Sequence, residues 1–306
     1  MGFLRRLRGA ASPAPEWASF FTAEAYEAFI AVVRADLDRR GAPYEIDDGL
    51  VRMAGTSSVF GLTNLAQVCH ANERGEWPVI VATHFTNLGS TTGRDVDALA
   101  ADFEQVRSIL RVRLLAEESM GGMSPDDIAG SRRYAPGILL SLEYDFPDST
   151  QGVPLDHVER WPLDADAVWQ IAIDNVRSEP QPVRQTVPAQ GGTFELAMGD
   201  DFYVASRVLR LADELPPGTT DAVVATPNRH VLLWHAIRDV SVVGAMQGMA
   251  ALANRMFVEG PGSISDQLYW WRADAVVQLP VRVQDKGIDL APPDEFVALL
   301  NTLAAP

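Results

Sequence analysis

The sequence predicts an α+β fold: mixed sheets with helices packed on them, in two sequential α+β regions. Three observations carry this. Apolar residues recur at helical spacing in some segments and alternate as in strands in others. These segments follow one another irregularly, neither as a strand–helix–strand alternation nor as an all-strand series, and no short repeat is present. Finally, 306 residues at 47% hydrophobic and 22% charged is ordinary globular composition, enough for one large core or two modest ones.

Residues 1–16 read as a flexible tail, rich in Ala, Pro and Ser from position 9. An N-terminal α+β region follows over 17–120. Thr22 caps a helix whose Tyr26, Phe29, Ile30, Val33 and Leu37 share a face, and Gly41 ends it. Tyr44 to Met53 is a hairpin turning at Asp48-Gly49, a pair that tolerates the positive φ of a tight turn, and 58–61 adds a strand. Leu62 to Glu73 is a helix with Leu62, Leu65, Ala66 and Cys69 on its apolar side. Trp77 to Phe85 is apolar and fits helix or strand. Asp95 to Ile109 is helical, carried by Val96, Leu99, Phe103, Val106 and Leu110; Arg111 to Leu115 is a strand. Residues 121–137, with their Gly and Pro, read as a linker or loop, and the main boundary is placed there.

The C-terminal α+β region, 138–306, opens with a strand from Ile138 to Phe146. Asp164 caps a helix with Ala165, Val168, Trp169, Ala172 and Val176 in a stripe. The Pro- and Gln-rich stretch 179–190 reads as a loop, and Thr193 to Met198 as a short strand. Asp200 or Asp201 caps a helix that turns Phe202, Ala205, Leu209 and Ala212 inward. Ala222 to Thr226 and His230 to Ile237 are strands joined by the turn Pro227-Asn228-Arg229. Val243 to Phe257 is a helix, Leu268 to Val276 a strand, and Phe296, Leu299, Leu300 and Leu303 mark a closing helix.

Composition removes several function classes. The 25 basic and 41 acidic residues give a net charge of −16, which repels phosphate backbones and argues against a nucleic-acid partner. The acidity is concentrated late: 14 basic against 18 acidic residues in 1–135, then 11 against 23. Lys286 is the sole lysine, so there is no Walker lysine and one residue that can form a Schiff base. Cys69 is the sole cysteine; neither an intrachain disulfide nor a multi-cysteine zinc site can form, and the expected compartment is the cytoplasm. No apolar run reaches the roughly 18–20 residues of a membrane span. The N-terminus lacks the apolar run of a signal peptide. Phe3, Leu4 and Leu7, opposite Arg5, Arg6 and Arg8, offer at most a weak peripheral membrane contact. No cofactor motif is present, and the oligomeric state is open.

Four segments in the later half carry a family resemblance: Trp169-Gln-Ile-Ala-Ile-Asp-Asn-Val176, Asp201-Phe-Tyr-Val-Ala-Ser-Arg207, Ala225-Thr-Pro-Asn-Arg-His230 and Gly260-Pro-Gly-Ser-Ile-Ser265. In order and spacing over roughly 138–270 they resemble the YtpQ-like family of bacterial proteins. A weaker match lies at Gly61-Leu-Thr-Asn-Leu65. The chain departs from the pattern at His230, where that family usually carries Asp. The resemblance implies a shared fold and no activity.

The polar residues of most interest are Asp201, Ser206, Arg207, Asn228, Arg229 and His230. Two arginines can converge on a carboxylate or phosphate with Asp201 orienting one of them. Equally, Asp201 or Asp200 can cap a helix, Asn228 can satisfy a turn, and Arg207 can pair across a helix–sheet interface. His230 and His235 are five apart on one strand, hence on opposite faces, and cannot share a metal. Cys69 and His70 are adjacent on a helix and do not face each other, so Cys69 reads as a small core residue. Ser263 and Ser265 lack a nucleophile elbow. Gly89-Ser-Thr-Thr-Gly-Arg94 lacks the lysine of a phosphate loop, and Asp47-Asp48, Asp126-Asp127 and Asp200-Asp201 lack the spacing of a calcium loop. Of Trp270 and Trp271, one faces the core; an exposed partner beside Arg272 suits an interface, unless a C-terminal helix covers it. The leading expectation is a non-enzymatic protein-interaction or regulatory factor. The alternative is an enzyme or small-anion-binding protein using an Arg/Asp/His cleft.

Overall fold

The computed structural model describes residues 14–55, 59–91, 95–120, 131–147, 149–284 and 287–304. Phe3, Leu4, Leu7, the tail to residue 13, the end of the Gly89–Arg94 stretch, Asp126-Asp127 and Lys286 lie outside them. The fold is α+β, and every sheet is antiparallel. The chain divides into two compact units, Met1–Thr86 and Asn87–Pro306.

In the first unit, α1 (Ala23–Arg40) is capped by Thr22, whose Oγ1 accepts from Ala25 N at 3.2 Å, and ends at Gly41, φ 77°. β1 (Tyr44–Asp47) and β2 (Leu50–Met53) are joined through Asp48 at φ 42° and Gly49 at φ 75°. Both are left-handed, as a two-residue hairpin turn requires. β3 (Val59–Gly61) pairs with β2. α2 (Thr63–His70) and α3 (Trp77–Thr91) complete the unit, α3 running past its limit; the ambiguous apolar run from Trp77 is helix. Phe29, Val33, Leu37, Val51, Leu65, Cys69 and Val81 are buried. Burial pushes the Cys69 thiol up to about 12, so it stays protonated and packs as an apolar residue.

The second unit begins with α4 (Val96–Ala100) and α5 (Phe103–Val106) in place of one continuous helix. The break falls at Asp102, whose carboxylate accepts from Glu104 N at 3.1 Å and restarts the helix as a cap. β4 (Leu110–Ala116), β5 (Ser131–Ala135), β6 (Ile138–Phe146) and β7 (Ser149–Gly152) form a four-stranded sheet. β6 pairs with β4 on one side and with β5 and then β7 on the other. The expected linker 121–137 therefore contains a strand, and the strands flanking residues 121–130 belong to one sheet. That pairing is why the compact units divide at 86/87 and not at 121–137.

α6 (Leu155–Arg160) and α7 (Ala165–Asn175) follow, α7 capped by Asp164 accepting from Ala167 N at 2.7 Å. Residues 179–190 are not a loop but contain β8 (Val183–Ala189), paired with β9 (Gly192–Met198). Pro188 is tolerated there because β8 is an edge strand. β10 (Asp221–Ala225) and β11 (Val231–Ala236) lie at the centre of the same sheet. The expected strand from Leu268 is two, β12 (Leu268–Arg272) and β13 (Ala275–Leu279), giving the order β13-β12-β10-β11-β9-β8. α8 (Ser241–Glu259) packs on one face of this sheet. A hairpin that the sequence reading missed, β14 (Val281–Gln284) and β15 (Gly287–Leu290), precedes α9 (Asp294–Leu303).

The helix expected after Asp201 is a 3₁₀ helix, Ala205–Asp213. Residues three apart eclipse in that geometry. Ala205, Val208 and Leu211 are accordingly buried, whereas Phe202 and Leu209 are half-buried and Ala212 is exposed.

Candidate functional site

Three of the four segments singled out in the sequence meet at the turn between β10 and β11. Asn228 and Ser263 form a β-bridge, and Arg229 N donates to Gly262 O at 3.0 Å. Ile264 N donates to Pro227 O at 2.9 Å, so 260–265 runs alongside 225–230. From the other side, Ala205 N donates to Arg229 O at 3.2 Å. Two glycines permit this contact. A Cβ on Gly260 would lie 2.2 Å from Asn228 Nδ2, and one on Gly262, at φ +73°, 2.7 Å from Arg229 Cδ. The fourth segment, α7, lies elsewhere; its Asn175 Nδ2 donates to Arg107 O and Leu110 O at 2.7 and 3.0 Å.

The hydrogen bonds assign the His230 tautomer. Nδ1 lies 3.1 Å from Gly199 O and 3.0 Å from Asp201 O. Carbonyl oxygens only accept, so Nδ1 carries the proton. Nε2 is then an acceptor, and it receives Arg229 Nε at 2.9 Å. Burial first, and the Arg229 charge second, push His230 down to about 4. At neutral pH His230 is an uncharged acceptor that orients Arg229 without neutralising it.

Arg229 also packs against apolar groups. Its guanidinium stacks on Phe202, 4.1 Å from the ring centroid, and its stem lies against Gly262. Among the described residues no carboxylate pairs with it. Burial, then the neighbouring Arg113 charge, bring Arg229 down to about 10. It is still charged at neutral pH, and among the described residues its Nη atoms donate to no acceptor.

Arg113 comes from the four-stranded sheet. One face of β4 and β6 carries Leu110, Val112, Leu114, Leu140, Leu142 and Tyr144, all in one hydrophobic core. The opposite face carries Arg111, Arg113, Glu143 and Asp145. Arg111 is neutralised by Glu179, Nε to Oε1 2.6 Å. Arg113 instead donates from Nη1 to Thr150 Oγ1 at 2.8 Å and, among the described residues, pairs with no carboxylate. Tyr203 OH donates to Asp145 Oδ1 at 2.9 Å, joining this face to the segment that holds Phe202 beneath Arg229. Burial raises Asp145, partly offset by that hydrogen bond, and raises Tyr203 well above its ordinary range. Perturbed groups thus collect here, as they do at functional sites.

Of the six residues singled out, Asn228, Arg229 and His230 work together, with Asp201 alongside. Asn228 Oδ1 accepts from His230 N at 3.0 Å and its Nδ2 donates to Met256 O at 2.8 Å. Asp201 Oδ1 accepts from Tyr203 N at 2.8 Å, and burial raises its carboxyl against the opposing effects of that bond and of Arg207. Arg207 is buried and, among the described residues, pairs with no carboxylate; its Nη2 donates to Glu179 O and Pro180 O at 3.1 and 2.9 Å. Ser206 is buried within the 3₁₀ helix, and its hydroxyl has no hydrogen-bond partner among the described residues. Arg113, Asp145, Phe202 and Tyr203 escaped the sequence reading as site residues. In β4 and β6 charges alternate with apolar residues, but an ordinary solvent-facing strand has the same pattern.

The other histidines are dispersed. His157 is buried, accepting from Tyr144 OH at Nδ1 (2.8 Å) and donating from Nε2 to Asp97 at 2.7 Å. His235 Nδ1 donates to Thr193 O at 2.6 Å. Among the described residues no three His, Cys, Asp or Glu side chains form a metal-sized group. Trp270 is buried and covered by Phe296 of α9, ring centroids 5.3 Å apart, while Trp271 packs on the other core. No helix among the described residues is long and apolar enough to cross a membrane.

No family model, curated protein or solved structure matches the chain.

Proposed function

We propose that this protein binds a small oxyanion, carboxylate or phosphate, at the Arg229 turn. One observation carries the reading: a half-buried arginine is oriented by a neutral histidine, so its charge is retained, and among the described residues its Nη atoms have no acceptor. Burying an unpaired charge costs stability. A bidentate oxyanion on that edge offsets the cost. The reading takes precedence over a protein-interaction role because the aromatic residues that motivated that role, Trp270 and Trp271, pack against cores. A regulatory role remains part of the proposal, since binding need not entail turnover, and so does a cytoplasmic location. The YtpQ-like relationship is likewise proposed, supported by the convergence of three of its four segments on this turn.

Calorimetric titration with sulfate, inorganic phosphate and acetate tests the reading. Binding by the wild type and its loss in Arg229→Gln are expected, with near-ultraviolet circular dichroism confirming the fold. Equal heats for wild type and variant would overturn it.

A further inference from the structure

We propose, independently of the oxyanion reading, that the free edge of β8 pairs with the same edge of a second copy of this chain, antiparallel and about a two-fold axis at Gln185. The edge is open. Val183 is 63% exposed, and Arg184, Gln185 and Thr186 are exposed as well. The hairpin also leaves backbone groups over. The turn Gln190-Gly191 pairs Ala189 with Gly192, so Val183, Gln185, Val187 and Ala189 exchange hydrogen bonds with β9. Arg184, Thr186 and Pro188 therefore turn their backbone groups away from the sheet, and Pro188, which has no N–H, falls on the side where none is needed. Among the described residues, no backbone group outside the hairpin bonds to Arg184 or Thr186.

The order of residues makes this edge complementary to itself. In Pro182-Val183-Arg184-Gln185-Thr186-Val187-Pro188 the valines and the prolines are placed symmetrically about Gln185. A two-fold axis there sets Arg184 opposite Thr186 of the second copy, and each such pair exchanges both of its N–H···O bonds. Val183 lands opposite Val187 of the second copy, in a pair without backbone hydrogen bonds, where side chains approach most closely. Val187 already packs against the core under α8, so the pairing extends that core over the exposed Val183. At both ends proline meets proline, and the ladder stops for want of N–H groups. The usual guards of an edge are absent: β8 has no lysine, and its ladder with β9 runs without a bulge. Its one charged residue, Arg184, donates from Nη2 to Glu214 Oε1 at 2.8 Å and faces a neutral threonine across the axis. One strand from each copy is a small interface, so a reversible dimer is expected, with a dissociation constant of about 10–100 µM.

Sedimentation equilibrium of the full chain from about 5 µM to about 500 µM provides the test. The weight-average mass is expected to climb towards twice that of one chain. Both copies carry a net charge of −16, so the climb is expected at lower concentration as salt is raised. Thr186→Pro removes an outward N–H and keeps the β8–β9 ladder, as Pro188 does, and is expected to weaken the dimer at least about tenfold. Gln185→Lys sets like charges face to face on the axis and is expected to act the same way if the proline variant folds poorly, with circular dichroism reporting the fold. Gln185→Cys tests the register. With oxidised glutathione it is expected to form an interchain disulfide, since Cys69 is buried, whereas Val183→Cys is not. A chain that stays monomeric at the highest concentration would overturn the inference and leave the edge to an extended segment of another protein. A dimer that Thr186→Pro and Gln185→Lys both leave unchanged would also overturn it, as would faster crosslinking of Val183→Cys than of Gln185→Cys.

Discussion

Arg229 keeps its charge because its one side-chain acceptor among the described residues, His230 Nε2, is neutral, and this makes position 230 a sharp probe. In His230→Asp a carboxylate replaces that acceptor and pairs with the guanidinium. Sulfate affinity is expected to fall more than about tenfold with folding stability equal or raised; unchanged affinity would contradict the account. The same histidine ties stability to pH. Its folded value, about 4, lies below its unfolded value of 6.5, so the unfolded chain binds more protons between them. Stability from this residue is complete above the unfolded value and is lost as pH falls through the folded one. The raised carboxyls of Asp145 and Asp201 act with opposite sign near the acid end of that range. Urea melts from neutral pH to about pH 4 are expected to show a shallower acid loss in His230→Asn than in the wild type, because the variant lacks this titration. Asn228, Arg229 and His230 were legible as a polar cluster in a turn between two apolar strands. Arg113 was not, because a charge alternating with apolar residues on a strand has the pattern of an ordinary solvent-facing position. Only the pairing of β4 with β6 and the docking of Tyr203 reveal that this face is covered.

At the scale of elements, close backbone approaches fix where the segments meet. A Cβ on Gly244 of α8 would fall 1.6 Å from Gln190 O in the β8–β9 turn. Gly244→Ala is expected to cost about 1–3 kcal/mol, read as a lower urea midpoint. Gly262→Ala combines a left-handed φ with a clash on the Arg229 stem, and is expected to weaken sulfate binding as well as stability. Gly244→Ala, whose clash falls on Gln190 of the β8–β9 turn and not on Arg229, leaves sulfate binding unchanged; equal effects of both on binding would argue that general destabilisation is responsible. Helices with a clear cap and stripe, such as α1 and α7, were legible in the sequence. β8 was obscured by its Pro and Gln content, which an edge strand tolerates and a central strand does not. The 3₁₀ helix was hidden because its three-residue period and the helical period agree over a single turn.

At the scale of the whole molecule, two compact units divide the chain, and the first has a core of its own around Phe29, Val33 and Leu37. Phe29→Ala is expected to destabilise that unit by about 3–5 kcal/mol and to leave sulfate affinity within about twofold, since the Arg229 turn belongs to the second. A large loss of affinity would show that the units are coupled. The α+β class was legible from the irregular order of helical and strand periods. The boundary was not, because a Gly- and Pro-rich stretch looks the same whether it joins two units or two strands of one sheet. A net charge of −16 repels anions over most of the surface, so an oxyanion is held only where positive charge is locally unopposed. The most direct measurement of that claim is the Arg229 Nε–H resonance in a proton–nitrogen correlation spectrum of the full chain, assigned by its loss in Arg229→Lys and followed as sulfate is added. The account predicts a saturable shift of this resonance and none at Arg111, which Glu179 already occupies. A resonance that stays in place while sulfate saturates the protein would contradict it.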